Sequence, residues 1–122
     1  MTGRVDARRQ AILELQVYGP GGQMLQVPAV IDTGYNGALT LPMAIVTALA
    51  LPPDVSRRVR LADASRRVLN CYAAELLWDG QRRQVVVLSV EGDPLVGTAL
   101  LDGCHLEIDF ADGGPVSTRP LP

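Results

Sequence analysis

The sequence predicts a mainly β fold, a small closed or sandwiched barrel of about seven or eight short strands with one or two short helices. Three observations lead there. Apolar and polar residues alternate in Leu13, Leu15 and Val17, and again in Leu106, Ile108 and Phe110, the period of half-buried strands. Turn clusters recur at Gly19-Pro20-Gly21-Gly22, Asp79-Gly80 and Asp112-Gly113-Gly114. Only two stretches, 42–50 and 98–103, read as helices.

The elements follow in order. Residues 11–18 form the first strand, and 23–31 return as its hairpin partner across the 19–22 turn. Residues 32–37 are polar and glycine-bearing, so they form a loop at that strand's end. Residues 38–41 are a short strand. Pro42 suits the first turn of a helix reaching about residue 50, and Pro52-Pro53 stops it. Residues 59–62 are a strand, followed by a polar stretch, and 68–78 are another. Asp79-Gly80 is a strong hairpin signal, and residues 83–90 are the partner strand. Its run Val85-Val86-Val87-Leu88 reads as buried on both faces. Leu95-Val96-Gly97 is short and apolar. Thr98 is placed to cap a helix over 99–102, closed by Gly103. Residues 106–110 alternate as a strand, and 116–118 form a last short one.

Composition narrows the function. The 122 residues make one domain, long enough to bury a core without staples. Hydrophobic residues are 48% and charged residues 20%, the balance of a globular protein. No apolar run has the ~18 residues of a membrane span, and the N-terminus leads into no signal-peptide core. A soluble, cytoplasmic protein with no membrane partner is expected. Net charge is −2, and all 11 basic residues are Arg, in scattered pairs. Nucleic-acid binding, which needs a basic face, is not expected. One His and two Cys do not make a common zinc set, so no metal and no cofactor are expected. Base-dependent chemistry is thereby narrowed towards carboxylates.

The informative segment is Val30-Ile31-Asp32-Thr33-Gly34. A buried strand delivers an acid, a hydroxyl and a glycine to its end. Alone, this is also an ordinary turn. Gly34 permits a tight reversal, and turn amides can orient the Asp32 carboxylate. Further along, Leu95-Val96-Gly97 precedes the short helix, and Gly97 permits close backbone approach to the Asp loop.

Together these resemble the retropepsin-like aspartic proteases, in particular the small prokaryotic members with one acid motif. Asp32-Thr33-Gly34 matches their catalytic loop, and Leu95-Val96-Gly97 matches their hydrophobic-hydrophobic-glycine element. The resemblance spans about residues 10–118 and implies a single closed acid-protease barrel over 1–122, active as a two-fold dimer. It implies Asp32 as the catalytic acid, Thr33 and Gly34 as loop support, and Tyr35, Leu95, Val96 and Gly97 as cleft wall. Ala62, Asp63, Ala64, Ser65 and Arg66 are the flap candidates. Two departures stand out. Tyr35 follows the motif where retroviral enzymes usually carry Ala or Ser, and the flap tip has no Gly.

One acid motif per chain implies a homodimer, because peptide hydrolysis by carboxylates needs two of them sharing a proton. The expected substrate is a peptide or protein. Residues 11–17 and 116–118 are expected to leave unpaired edges that a second chain covers. The competing function is a protease-like binding or dimerisation module with little turnover, motivated by Tyr35 and the glycine-free flap tip. Cys71 and Cys104 read as free thiols in a reducing compartment. His105 beside Cys104 reads as no nucleophile pair, since strand neighbours point to opposite faces. Trp78 reads as a packing residue.

Overall fold

The computed structural model describes residues 1–54 and 70–122. The expected strand at 59–62, the polar stretch after it and the flap candidates Ala62, Asp63, Ala64, Ser65 and Arg66 lie outside the described residues.

The chain order is β1 (Thr2–Val5), β2 (Ala11–Tyr18), β3 (Met24–Ile31), β4 (Leu39–Leu41), α1 (Met43–Ala48), β5 (Cys71–Trp78), β6 (Gln81–Ser89), β7 (Leu95–Val96), α2 (Thr98–Leu101), β8 (Cys104–Ile108) and β9 (Pro115–Pro120). The sheet runs β3-β7-β4-β6-β5-β2-β1-β9-β8, and β3 pairs with β2 as well. That extra pairing closes six strands into a barrel. The strands β1, β9 and β8 extend from it as an antiparallel flank.

The alternation in β2 explains the closure. Leu13, Leu15 and Val17 are fully buried, whereas Glu14 is exposed. Burying each such side chain is worth about 1.5–3 kcal/mol, so a one-residue slip in register is excluded. One edge of β2 pairs along its length with β3. The other is divided between β1, at Ala11 to Leu13, and β5, at Val17 and Tyr18. The inward residues of β5 and β6, among them Ala74, Leu76, Trp78, Val85 and Val87, complete the core.

Several expectations are corrected. Residues 11–17 are no edge, because β2 lies between β3 on one side and β1 and β5 on the other. Residues 116–118 are none either, because β9 lies between β1 and β8. The strand β1 has no alternating pattern; it forms because β2 and β9 both offer it backbone partners. In β6 only Val85 and Val87 are buried, while Val86 and Leu88 are half-buried on the outer face. Pro42 is the N-cap of α1 and not its first helical residue, with extended φ −69° and ψ 156°. That helix ends before Pro52, where Ala50 turns left-handed at φ 51°. Thr98 does not cap α2: Gly97 is the N-cap, and Thr98 is the first helical residue.

Candidate active site

The strand β7 is only two residues long, yet it decides where Asp32 sits. It runs parallel to β3, with Val30 beside Leu95 and Ile31 beside Val96. On its other side it runs antiparallel to β4, with Leu39 beside Val96 and Thr40 beside Leu95. The loop 32–38 therefore leaves and re-enters the sheet on either side of Leu95-Val96. The Asp32 amide donates to the Val96 carbonyl at 2.9 Å, and the Gly97 amide donates to the Ala38 carbonyl at 2.9 Å. Both ends of the loop are thus pinned to one strand.

Within the loop, the Tyr35 amide donates to the Asp32 carbonyl at 3.1 Å, closing a turn. The Gly34 amide donates to Asp32 Oδ1 at 2.9 Å and orients the carboxylate. Asp32 is half-buried, and Thr33 and Gly34 are exposed. The acid stands at the surface of a single chain, on a backbone that the barrel holds rigidly.

The helix α2 closes the arrangement from behind. The Thr98 amide donates to the Tyr35 carbonyl at 2.8 Å and the Ala99 amide to the Gly37 carbonyl at 3.1 Å. This close approach needs glycine. A methyl group at Gly97 would run into the Gly37 carbonyl oxygen, the Tyr35 ring and the Tyr35 carbonyl. A methyl at Gly37 would meet the Tyr35 hydroxyl. The Tyr35 ring accordingly lies back across Gly37 and against Gly97. Tyr35, Asn36, Cys71, Ala73, Val86 and Leu88 line one open depression of about 490 Å³ on the outer face of β5 and β6. Burial, with a smaller contribution from the charge of Cys71, pushes the Tyr35 phenol above its ordinary pKa.

The structure brings Asp32, Thr33, Gly34, Tyr35, Leu95, Val96 and Gly97 together. Val96, expected in a cleft wall, is fully buried in the core. Its place at the site is through its backbone, because its side chain points into the barrel. Gly34 is not in the left-handed region, and a methyl there would meet only Asp32 Oδ1 at 3.2 Å. The site glycine that backbone itself demands is Gly97, whereas at Gly37 a methyl would displace only the outer end of the Tyr35 ring.

Sequence reasoning passed over Gly37 and Thr40. Thr40 is 3% exposed, and its Oγ1 accepts the Leu95 amide at 2.9 Å. It satisfies a backbone donor of the strand that carries the loop. A hydroxyl between two buried leucines was the available signal. The two cysteines are free, Cys71 buried and Cys104 half-buried, with the Trp78 indole N–H directed at Cys104 Sγ at 3.4 Å.

No protein-family model matches the sequence, and no curated protein matches it. Solved structures do. A retropepsin-like aspartic protease from Rickettsia conorii aligns over 99% of this chain and 92% of its own, with TM-score 0.62 and 14% identity. EIAV protease, complexed with the inhibitor HBY-793, aligns over 79% of this chain and 88% of its own, with TM-score 0.52 and 10% identity. The chain has the retropepsin-like fold: among the described residues it is mainly β, with a closed six-strand barrel and two short helices. Among the described residues, no helix is long and apolar enough to cross a membrane.

Proposed function

We propose that the chain is a single retropepsin-like unit acting as an aspartic endopeptidase. A homodimer hydrolyses peptide bonds by a water activated between its two Asp32 carboxylates. The observation that supports this most is the pinned loop. Asp32 is held at the surface by the Val96 carbonyl and the Gly34 amide, in a fold shared with aspartic proteases.

The chemistry needs two carboxylates in different protonation states. Two like charges ~3 Å apart cannot both ionise, so the pair shares a proton. The ionised one removes a proton from water as it attacks the scissile carbonyl. The protonated one donates to that carbonyl oxygen, then delivers the proton to the leaving amine. The exposed Thr33 side chains brace the two loops against each other. Gly34 orients the carboxylate, and Tyr35, Leu95 and Gly97 shape the cleft. No metal or cofactor takes part, and the setting is cytoplasmic.

The competing reading, a binding or dimerisation module with little turnover, draws on the Tyr35 ring lying over Gly37 beside the loop. Incubation with a mixed peptide library at acid pH separates the two. Cleavage with a bell-shaped pH profile, blocked by an aspartic-protease transition-state analogue, supports the endopeptidase. A dimer that binds peptides without cleaving them at any pH overturns it. Specific activity should also fall on dilution, following the dimer fraction.

A further inference from the structure

We infer that Arg83 is a positioning residue for the proposed reaction: its guanidinium holds α2, and α2 holds the loop that carries Asp32. The inference deepens the proposed function, and only its kinetic consequence rests on that reading.

The sheet leaves one side of the loop without a neighbouring strand. The strands β4 and β6 pair from Leu39 beside Val87 onwards. Ahead of that point, residues 35–38 and 83–86 both line the open depression of about 490 Å³. Among the described residues, no strand pairing joins those two segments. The loop is held there through α2, whose Thr98 and Ala99 amides donate to the Tyr35 and Gly37 carbonyls.

Yet α2 is a single turn, Thr98–Leu101. One turn is unstable by itself, because fixing its backbone costs more conformational entropy than its few hydrogen bonds offset. It has no side-chain cap at Gly97 and no basic residue of its own in its last turn. The Gly97 and Thr98 carbonyls are taken up inside the turn, by the amides of Leu100, Leu101 and Asp102. The Ala99 and Leu100 carbonyls are left over, as the last carbonyls of a helix are. Arg83 takes both. Its Nη2 donates to the Ala99 carbonyl and its Nη1 to the Leu100 carbonyl, each at 3.3 Å. The Cys104 thiol also faces the Leu100 carbonyl, at 4.0 Å, but a thiol is a weak donor.

The residue type suits the task. A guanidinium is planar and presents its N–H groups as a rigid fork, so one side chain reaches two consecutive carbonyls. Its positive charge strengthens both bonds and faces the negative end of the turn. Leu100 is fully buried and sets the depth of α2 in the core. The fork sets the rotation of α2 about that anchor. The neighbouring Arg82 does something else, because adjacent strand residues point to opposite faces. Its guanidinium lies 3.8 Å over the Tyr18 ring and donates to Glu75 Oε1 at 2.9 Å. Support for Asp32 therefore runs from β6 through Arg83 to α2 and on to the loop.

The test combines amide hydrogen exchange with cleavage kinetics in the parent, Arg83→Met and Arg82→Met. Met keeps an unbranched stem and removes the donors. In Arg83→Met, exchange at the Thr98, Ala99 and Tyr35 amides should rise at least about tenfold, while the core amides of Leu13, Leu15 and Val87 keep the parent's rates. Arg83 touches none of those three loop and helix amides. The kcat for peptide cleavage should fall about tenfold with KM nearly unchanged, because a displaced Asp32 weakens the transition state and not peptide binding. Arg82→Met should change neither. Exchange in Arg83→Met equal to the parent's overturns the proposal. So does a rise shared by the core amides, which marks a general loss of stability. A local rise with kcat unchanged overturns it as well, since α2 would then loosen without moving the acid. A parent that cleaves no peptide removes the endopeptidase, and the exchange comparison alone then decides whether Arg83 holds the loop.

Discussion

Two turns in this chain combine an aspartate with a glycine, and they are built differently. At Asp79-Gly80 both residues are left-handed, with φ 47° and 80°. That is the backbone a two-residue hairpin requires, and the two letters suffice to specify it. The acid there turns inward, and its Oδ1 accepts the Thr118 hydroxyl at 3.0 Å. At Asp32-Thr33-Gly34 neither Asp32 nor Gly34 is left-handed. The loop instead hangs between β3 and β4 on a two-residue strand that arrives from far along the chain. A turn made by local dihedral preference hides its acid, whereas the loop made by long-range pairing presents its acid to the surface.

Replacing the acid that the loop presents is the strongest way to probe this contrast. Asp32→Asn keeps the shape and an acceptor for the Gly34 amide but cannot act as base. Peptide cleavage should fall about 10³-fold or more, with the melting temperature nearly unchanged. Full activity in a contaminant-free preparation would remove Asp32 from the chemistry.

Gly97→Ala attacks the long-range support. The added methyl meets backbone, the Gly37 carbonyl oxygen, and cannot be relieved by a side-chain rotation. Denaturant unfolding should show a loss of about 3 kcal/mol, at the upper end for overpacking. An equally stable variant would mean that α2 does not press on the loop as described.

Thr40→Val keeps the shape of the strand but leaves the Leu95 amide without its acceptor. A loss of about 1–3 kcal/mol is expected, because a buried donor goes unpaired. Val fitted to the same stability as Thr would show that β7 does not depend on that hydroxyl. By contrast, Gly80→Ala in the ordinary turn should cost only about 1–2 kcal/mol, the penalty for a side chain in the left-handed region. Cleavage per folded molecule should be unaffected.

The smallest effect concerns the ring beside the loop. Tyr35 holds its proton more tightly in the folded chain than in the unfolded one, chiefly because it is buried. Its contribution is complete below about pH 10, the unfolded phenol's pKa, and is lost as pH rises through the higher folded value. Tyr35→Phe should therefore show a shallower loss of stability above about pH 10 than the parent. Parallel pH profiles for the two would place the phenol in solvent.

What the sequence determined by itself was whatever depends on neighbours along the chain. Leu13, Leu15 and Val17 declared a half-buried strand, Asp79-Gly80 a hairpin, and Gly103 the end of a short helix. The motif pair Asp32-Thr33-Gly34 and Leu95-Val96-Gly97 pointed, by resemblance, to the fold that the barrel adopts. Tertiary structure decided the rest. The strand β1 has no pattern of its own and exists because β2 and β9 both face it. That same pairing turned the expected open edges at residues 11–17 and 116–118 into interior strands and moved the free edge to β8. Gly37 and Thr40 read as unremarkable letters until β7 passed between β3 and β4 and brought α2 onto the loop. Side-chain periodicity is a local property. Which backbone edges remain unpaired, and which glycine has another chain segment against it, depends on segments far apart in the sequence.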